Sequence, residues 1–152
     1  MAIPLYLLIY LKADFRFAQE TVAGQVAAVS RLLGNPAVAE GYLVKSSNVI
    51  LEVIEACVAW KDVFAFIALV IAVPNRSAKE KAFGIIVGSL VMYLANLARL
   101  VTVLFVAVRI PAFTEVVHSV LWKFGMISLI LLVWLSWMRL TSREKGINKT
   151  VD

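Results

Sequence analysis

Hydrophobic residues in this chain are gathered into long blocks that short polar segments separate. Three blocks lie at residues 56–74, 82–110 and 113–138. A membrane-spanning helix needs about 20 consecutive, mostly apolar residues, so we predict a transmembrane helix in each. The first block has a fully apolar core, VFAFIALVIAV at 63–73, and reaches membrane length only when residues 56–61 are added.

The N-terminal segment shows a weaker pattern. Its apolar stretch IPLYLLIYL is too short to span a membrane alone, and charged residues follow it directly. A helical stripe nevertheless continues beyond this stretch, at Val22, Val26, Val29 and Leu33. We therefore predict one long helix over residues 4–33, whose first half enters the bilayer as a further span.

Residues 36–55 differ from the rest of the chain because they favour β structure. GNPAVAEG is rich in turn formers. Two β-prone runs follow it, at 42–45 and 48–55, with Ser46 and Ser47 between them. We predict a small β-hairpin here, resting on the outer face of the helices.

Lysine and arginine at the ends of the apolar blocks set the orientation, since short cytoplasmic loops carry an excess of these residues. They cluster in PNRSAKEK, between the second and third spans, and in the tail 139–152. Both termini are therefore predicted to be cytoplasmic, and the segment 34–62 to face outward.

The predicted fold is an all-α membrane protein, a four-span helical bundle with a small outer β-hairpin, forming a single membrane domain over 1–152.

Composition agrees with this class and excludes others. The chain is 62% hydrophobic and 16% charged, against about 45–50% and 25% in soluble domains. One cysteine and one histidine exclude an internal disulfide, a CxxC pair and metal centres built on clusters of these residues. No nucleotide-binding glycine motif is present. We expect no cofactor, no metal site and no nucleic-acid partner, and expect membrane lipids around the helices.

Four polar residues are predicted to lie at one depth, just inside the outer membrane surface. Arg99 and Asn96 share one face of the third span, Cys57 begins the second span, and His118 lies one turn into the fourth. A charge within a span costs on the order of 2.5 kcal/mol or more and indicates function. Each residue also has a structural alternative: a packed thiol, an interfacial imidazole, or an arginine reaching the headgroups.

Other charged, aromatic and glycine residues have simpler structural interpretations. Glu55 and Asp62 are interpreted as solvated interfacial charges, and Gly84 with Gly88 at GxxxG spacing indicates close helix packing. The four tryptophans are typical of the aromatic belts at the two interfaces: Trp60, Trp122, Trp134 and Trp137. Trp122 lies one turn from His118 and is also a candidate wall of a substrate pocket.

Together, the cysteine, histidine and arginine supply the parts of an acyl-transfer site. A thiol is a nucleophile, an imidazole can take and return its proton, and a guanidinium can stabilise an oxyanion. The sequence stretches EAC at 55–57 and NLAR at 96–99, followed by His118, resemble the exosortase/archaeosortase family of integral membrane cysteine transpeptidases. This chain resembles a minimal archaeal-type member. It has Val58 and Ala59 where family members commonly have a small hydroxyl residue and glycine.

The resemblance implies that Cys57, Arg99 and His118 are catalytic; we add Asn96 and Trp122 as candidate substrate-binding residues. It further implies a protease and transpeptidase at the outer face of the cell membrane. Its substrates would be exported surface proteins whose C-terminal tail has a short motif, one spanning helix and a basic end. The cleaved protein would pass to a lipid amine or another amine acceptor.

Two other functions fit parts of the pattern. A non-catalytic small membrane bundle, acting as a subunit or assembly factor of a larger complex, explains the spans and the glycine pair but not the shared depth of the polar residues. A proton-coupled transporter fits less well, because the inner halves of the predicted spans lack polar residues.

Overall fold

The computed structural model describes the chain over residues 15–120 and 124–147. It divides between Val58 and Ala59 into two compact units, which are taken here in turn. Along the chain the elements are helix α1 (Arg16–Leu32), strands β1 (Val38–Glu40), β2 (Leu43–Ser46) and β3 (Val49–Glu52), a 3-10 turn (Glu55–Val58), helices α2 (Trp60–Ala72) and α3 (Ala78–Arg109), a second 3-10 turn (Pro111–Phe113), and helices α4 (Thr114–Val120) and α5 (Met126–Ile147).

Helix α1 opens the first unit and ends at a glycine. The backbone N–H of Gly34 donates to the carbonyl of Arg31 at 3.0 Å, and Gly34 has a φ of +79°. Glycine adopts this left-handed conformation without a steric penalty and commonly terminates helices. The predicted first helix is therefore present from Arg16 onward, while its residues 4–14 lie outside the described part of the chain.

The β segment forms a three-stranded antiparallel sheet in the order β1-β2-β3. The two predicted runs form β2 and β3 with their turn at Ser47, as expected, but the prediction of a simple hairpin was incomplete. Residues 38–40, interpreted as part of a turn, form a third strand, and β3 ends at Glu52. Gly41, with a φ of +60°, allows the tight turn that returns β2 alongside β1.

The sheet has one face covered by α1, and this packing forms the core of the first unit. Val44 is fully buried and Ser46 is 2% exposed on that face. The hydroxyl of Ser46 donates to the carbonyl of Pro36 at 2.6 Å, so the buried polar group is satisfied. On α1 the buried residues follow a helical stripe, at Val22, Ala23, Val26, Ala27 and Ser30.

The second unit packs α2, α3 and α5 around a buried cluster, and two glycines bring these helices close together. Its buried members are Phe66, Val70, Met92, Ile130 and Trp137. A methyl group at Gly84 would collide with the indole of Trp137, and one at Gly88 with the ring of Phe66. The GxxxG spacing therefore marks close helix packing here, as predicted.

Trp137 packs into the core of the second unit, and its place in an aromatic belt stays a prediction. It is only 5% exposed. Its indole N–H donates to the carbonyl of Glu80 in the first turn of α3, at 3.1 Å. The space above Gly84 admits the ring, and the nearby carbonyl satisfies its polar atom.

At one end of the second unit, basic side chains bind backbone carbonyls of neighbouring helices. Ser77 and Glu80 form a reciprocal capping box at the start of α3. Lys81 Nζ donates to the carbonyl of Ile71 near the end of α2 at 2.7 Å, and Arg76 Nη2 donates to that of Met138 at 3.3 Å. The cations of the predicted cytoplasmic loop thus bind backbone carbonyls, and the one near the end of α2 also suits its helix dipole.

Among the described helices, α3 is the one long and apolar enough to cross a membrane, with a mean hydropathy of 2.0 over its most apolar window. The apolar part of α5, Met126–Thr141, is shorter, and α2 has 13 residues. Where one span was expected over 113–138, the structure has α4 and α5, with residues 124 and 125 in a π-helical turn. The count of four spans stays a prediction.

Close packing at Gly88 predicts a sharp effect of one methyl group. Gly88→Ala should destabilise the second unit by about 1–3 kcal/mol, because its Cβ overlaps the buried ring of Phe66. Thermal unfolding of the detergent-solubilised protein measures this. Adding Phe66→Leu should restore part of the loss. Gly24→Ala, in α1 with no atom near its Cβ, should be neutral or stabilising; equal losses at both glycines would contradict the packing argument.

Candidate active site

Cys57 lies in the 3-10 turn that follows the sheet, at the end of the first unit. The backbone N–H of Val53 donates to the carbonyl of Tyr42 at 2.9 Å, extending the pairing of β3 with β2. The N–H of Cys57 then donates to the carbonyl of Ile54 at 2.8 Å. The thiol is buried, at 4% exposure. Strand β3 therefore fixes the backbone that carries the candidate nucleophile.

Ala59 follows in an unusual conformation. It is the N-cap of α2, with a φ of +61°, in the left-handed region that glycine favours. An L-residue with a Cβ is disfavoured there by about 1–2 kcal/mol. The resemblance drawn from the sequence placed glycine at this position in related proteins. This chain therefore keeps a backbone shape suited to glycine while carrying alanine.

Arg99 and Asn96 lie on the buried face of α3. Arg99 is 6% exposed and Asn96 is 1% exposed. The same stripe contains the apolar residues Met92 and Val103, so one turn of an otherwise apolar face is polar. The prediction that the guanidinium and the amide share a face agrees with this arrangement.

His118 lies on α4, which packs against α3 within the second unit. Its imidazole is partly buried and interacts electrostatically with Arg99. The helix is short, seven residues, and follows the turn at Pro111–Phe113 that reverses the chain after α3. This reversal brings the histidine back to the depth of the arginine.

Asp62 is a further residue of this site that was not predicted from the sequence. It was interpreted as a solvated interfacial charge, but it is partly buried and interacts electrostatically with Arg99. It lies in the first turn of α2, where a carboxylate also suits the helix dipole. Its position at the same end of a span as the buried arginine was the signal in the sequence that could have identified it.

The structure thus brings Arg99, Asn96, His118 and Asp62 together in the second unit. Cys57 belongs to the first unit, two residues before the second begins, and its approach to Arg99 and His118 stays a prediction. Trp122, the candidate pocket wall, lies outside the described residues. Chemically, the second unit offers a fixed cation, an anion and an imidazole at one level of the helices.

Comparison with known proteins decides the family. The family model described as transmembrane exosortase (Exosortase_EpsH) matches residues 1–135, which include every candidate site residue. The chain belongs to the transmembrane exosortase family. Exosortases are membrane cysteine transpeptidases that process the sorting signals of surface proteins. No curated protein and no solved structure shows a significant match to this exosortase.

The conformation of Ala59 predicts a substitution that improves stability. Ala59→Gly should be neutral or raise the free energy of unfolding by up to about 1 kcal/mol, because glycine relieves the strain at positive φ. Ala65→Gly, an exposed position inside α2, should lower it by about 1 kcal/mol. Thermal unfolding of the two variants gives the comparison, and a loss at both positions would contradict the strain argument.

Proposed function

We propose that this exosortase is a membrane-embedded cysteine protease and transpeptidase. It cleaves the C-terminal sorting signal of exported surface proteins and transfers the shortened protein to a lipid amine or another amine. Family membership supports the reaction class. The order of Cys57, Arg99 and His118 along the chain supports the assignment of roles.

One observation carries the proposal: a guanidinium is buried inside the membrane-length helix α3 and interacts with an imidazole on α4. A purely structural span gains nothing from a charge at this depth, since burying it is unfavourable. A reaction that develops negative charge on an oxygen does gain, because a fixed cation in a region of low dielectric stabilises that charge strongly.

In the first step, the sulfur of Cys57 attacks the carbonyl carbon of the scissile peptide bond. His118 takes the thiol proton, and Arg99 stabilises the negative charge that develops on the carbonyl oxygen. The carbon–nitrogen bond then breaks, and His118 gives its proton to the leaving amine. The products are a thioester on Cys57 and the released tail.

In the second step, an amine attacks the thioester carbon. His118 takes a proton from this amine, the carbon–sulfur bond breaks, and the proton returns to the sulfur. A new amide and a free thiol result, so the cycle needs no oxidant or cofactor. Water in place of the amine gives hydrolysis instead.

Two residues are assigned to substrate binding. Asn96 shares the buried face of Arg99, and its amide can donate to a substrate carbonyl at the same depth. Trp122 is proposed as a wall of the pocket. Asp62 interacts with Arg99 and is assigned the role of a positioning residue that orients the guanidinium.

The proposed site faces the extracytoplasmic side of the cell membrane, with both termini in the cytoplasm. The basic residues at the opposite end of the second unit support this orientation, since Arg76 binds a carbonyl of α5 there and Lys81 binds one near the end of α2. Substrates anchored by their own spanning helix would then reach the enzyme by lateral diffusion.

Substrate processing tests the catalytic roles. The probe is a co-expressed, epitope-tagged exported protein with an extended segment, one spanning helix and a basic end at its C-terminus. Cys57→Ala should abolish removal of this tail, by on the order of a thousandfold or more. Arg99→Ala should slow it by about 100–1000-fold. Thr102→Ala, an exposed position on the same helix, is the control. Undiminished processing by Cys57→Ala would end the proposal.

Thiol reactivity tests the pairing with histidine independently of any substrate. Alkylation of Cys57 by iodoacetamide at neutral pH should slow by on the order of tenfold in His118→Ala, because a neighbouring base raises the thiolate fraction. Glu115→Gln, exposed on the same helix, should react like the wild type. Equal rates in all three proteins would favour the non-catalytic membrane bundle.

A further inference from the structure

The two outer edges of the sheet in the first unit differ in their protection. β1 has three residues and packs against α1, and the carbonyl of Ala37 just before it accepts from Arg31 Nη1 at 3.2 Å. β3 forms the opposite edge, and no strand in the described part of the chain pairs with its outer side. Its sequence VILE contains no proline, and its one charged residue, Glu52, is at its last position; proline and charged side chains are common protections of an edge.

The hydrogen bonds indicate which backbone groups of β3 face this open edge. Val53 donates to Tyr42, so these two residues form a hydrogen-bonded pair. Bonded and non-bonded pairs alternate along an antiparallel ladder, so Leu51 also bonds to β2. The N–H and C=O groups of Ile50 and Glu52 therefore point outward, where another extended chain can bind them.

The side chains on this edge are accessible as well. Ile50 is 64% exposed and lies on the face of the sheet away from α1. It shares one row across the sheet with Lys45 and Val38. Ile54, between β3 and the cysteine, is 45% exposed. An open strand edge with two exposed isoleucines thus leads toward Cys57.

We propose, building on the function proposed above, that the substrate binds by strand addition to β3. The occupant is the extended segment of the substrate next to its scissile bond, and it forms a fourth strand through the outward groups of Ile50 and Glu52. The substrate segment around the scissile bond must be extended, because the backbone groups of a helix are already hydrogen-bonded to one another.

The short stretch of chain between β3 and Cys57 identifies this occupant. The seven residue steps from Ile50 to Cys57 span at most about 25 Å, so an extended segment of about eight residues can pair with β3 and still reach the sulfur. Strand addition draws its affinity from main-chain hydrogen bonds. The pairing therefore tolerates different substrate sequences, while Ile50 and Glu52 contact alternate side chains.

Proline substitution tests the main-chain pairing, using the tagged tail protein described above as the probe. Ile50→Pro removes an outward N–H while leaving the ladder to β2 intact, and should slow tail processing by about fivefold or more. Ala39→Pro removes an outward N–H from the β1 edge and should process normally. Ile50→Ala keeps the backbone N–H, so its rate of tail processing should fall less than that of Ile50→Pro. Wild-type processing by Ile50→Pro would overturn the proposal.

Cross-linking tests the position of the substrate without relying on the reaction. A photo-cross-linking amino acid replaces Ile50 or Val38, two exposed residues in the same row at opposite edges, in the Cys57→Ala protein. The tagged tail protein should cross-link from position 50 and not from position 38. Equal cross-linking from both, or cross-linking only to a second copy of this chain, would overturn strand addition. If Cys57→Ala still processes the tail, the proposed function fails, while the cross-link still decides whether β3 binds it.

Discussion

The burial of a positive charge inside an apolar helix is the constraint on which this structure depends. Arg99 lies on a helix whose length and composition suit a bilayer, and its side chain is almost fully buried. Such a charge is stable only where other polar groups reach the same depth. Asp62 on α2 reaches this depth and supplies a carboxyl group of opposite charge, and the imidazole of His118 on α4 lies within electrostatic range of the same guanidinium. The second unit is thus organised around one polar layer within an otherwise apolar set of helices.

Close helix packing occupies the other end of the second unit. Gly84 and Gly88 leave room for the rings of Trp137 and Phe66, so α2 and α5 both approach α3. At the same end, basic side chains bind backbone carbonyls of α2 and α5. One end of the second unit is therefore closed by packing and hydrogen bonds. The candidate site residues of the second unit lie toward the other end, near the first turn of α2 and the chain reversal after α3.

Several features of the site were readable in the sequence because they depend on local rules. The shared face of Asn96 and Arg99 follows from helical periodicity, and the turn at Ser47 from the β-prone runs around it. The strand at Val38–Glu40 was missed because its residues lie within a turn-rich stretch. The partners of Trp137 and Asp62 were not predicted, because Glu80 and Arg99 are 57 and 37 positions away in the chain.

The membrane class, the long apolar helix, the family and the order of the candidate catalytic residues could all be read from the amino-acid sequence. These properties depend on residue type and spacing, which the amino-acid sequence gives directly. Three features became visible only in the folded chain: Asp62 lies within electrostatic range of Arg99, Ala59 has a glycine-like conformation, and the outer edge of β3 has no paired strand among the described residues. Each of these depends on which groups remain uncovered or become neighbours after packing, and no local pattern encodes that.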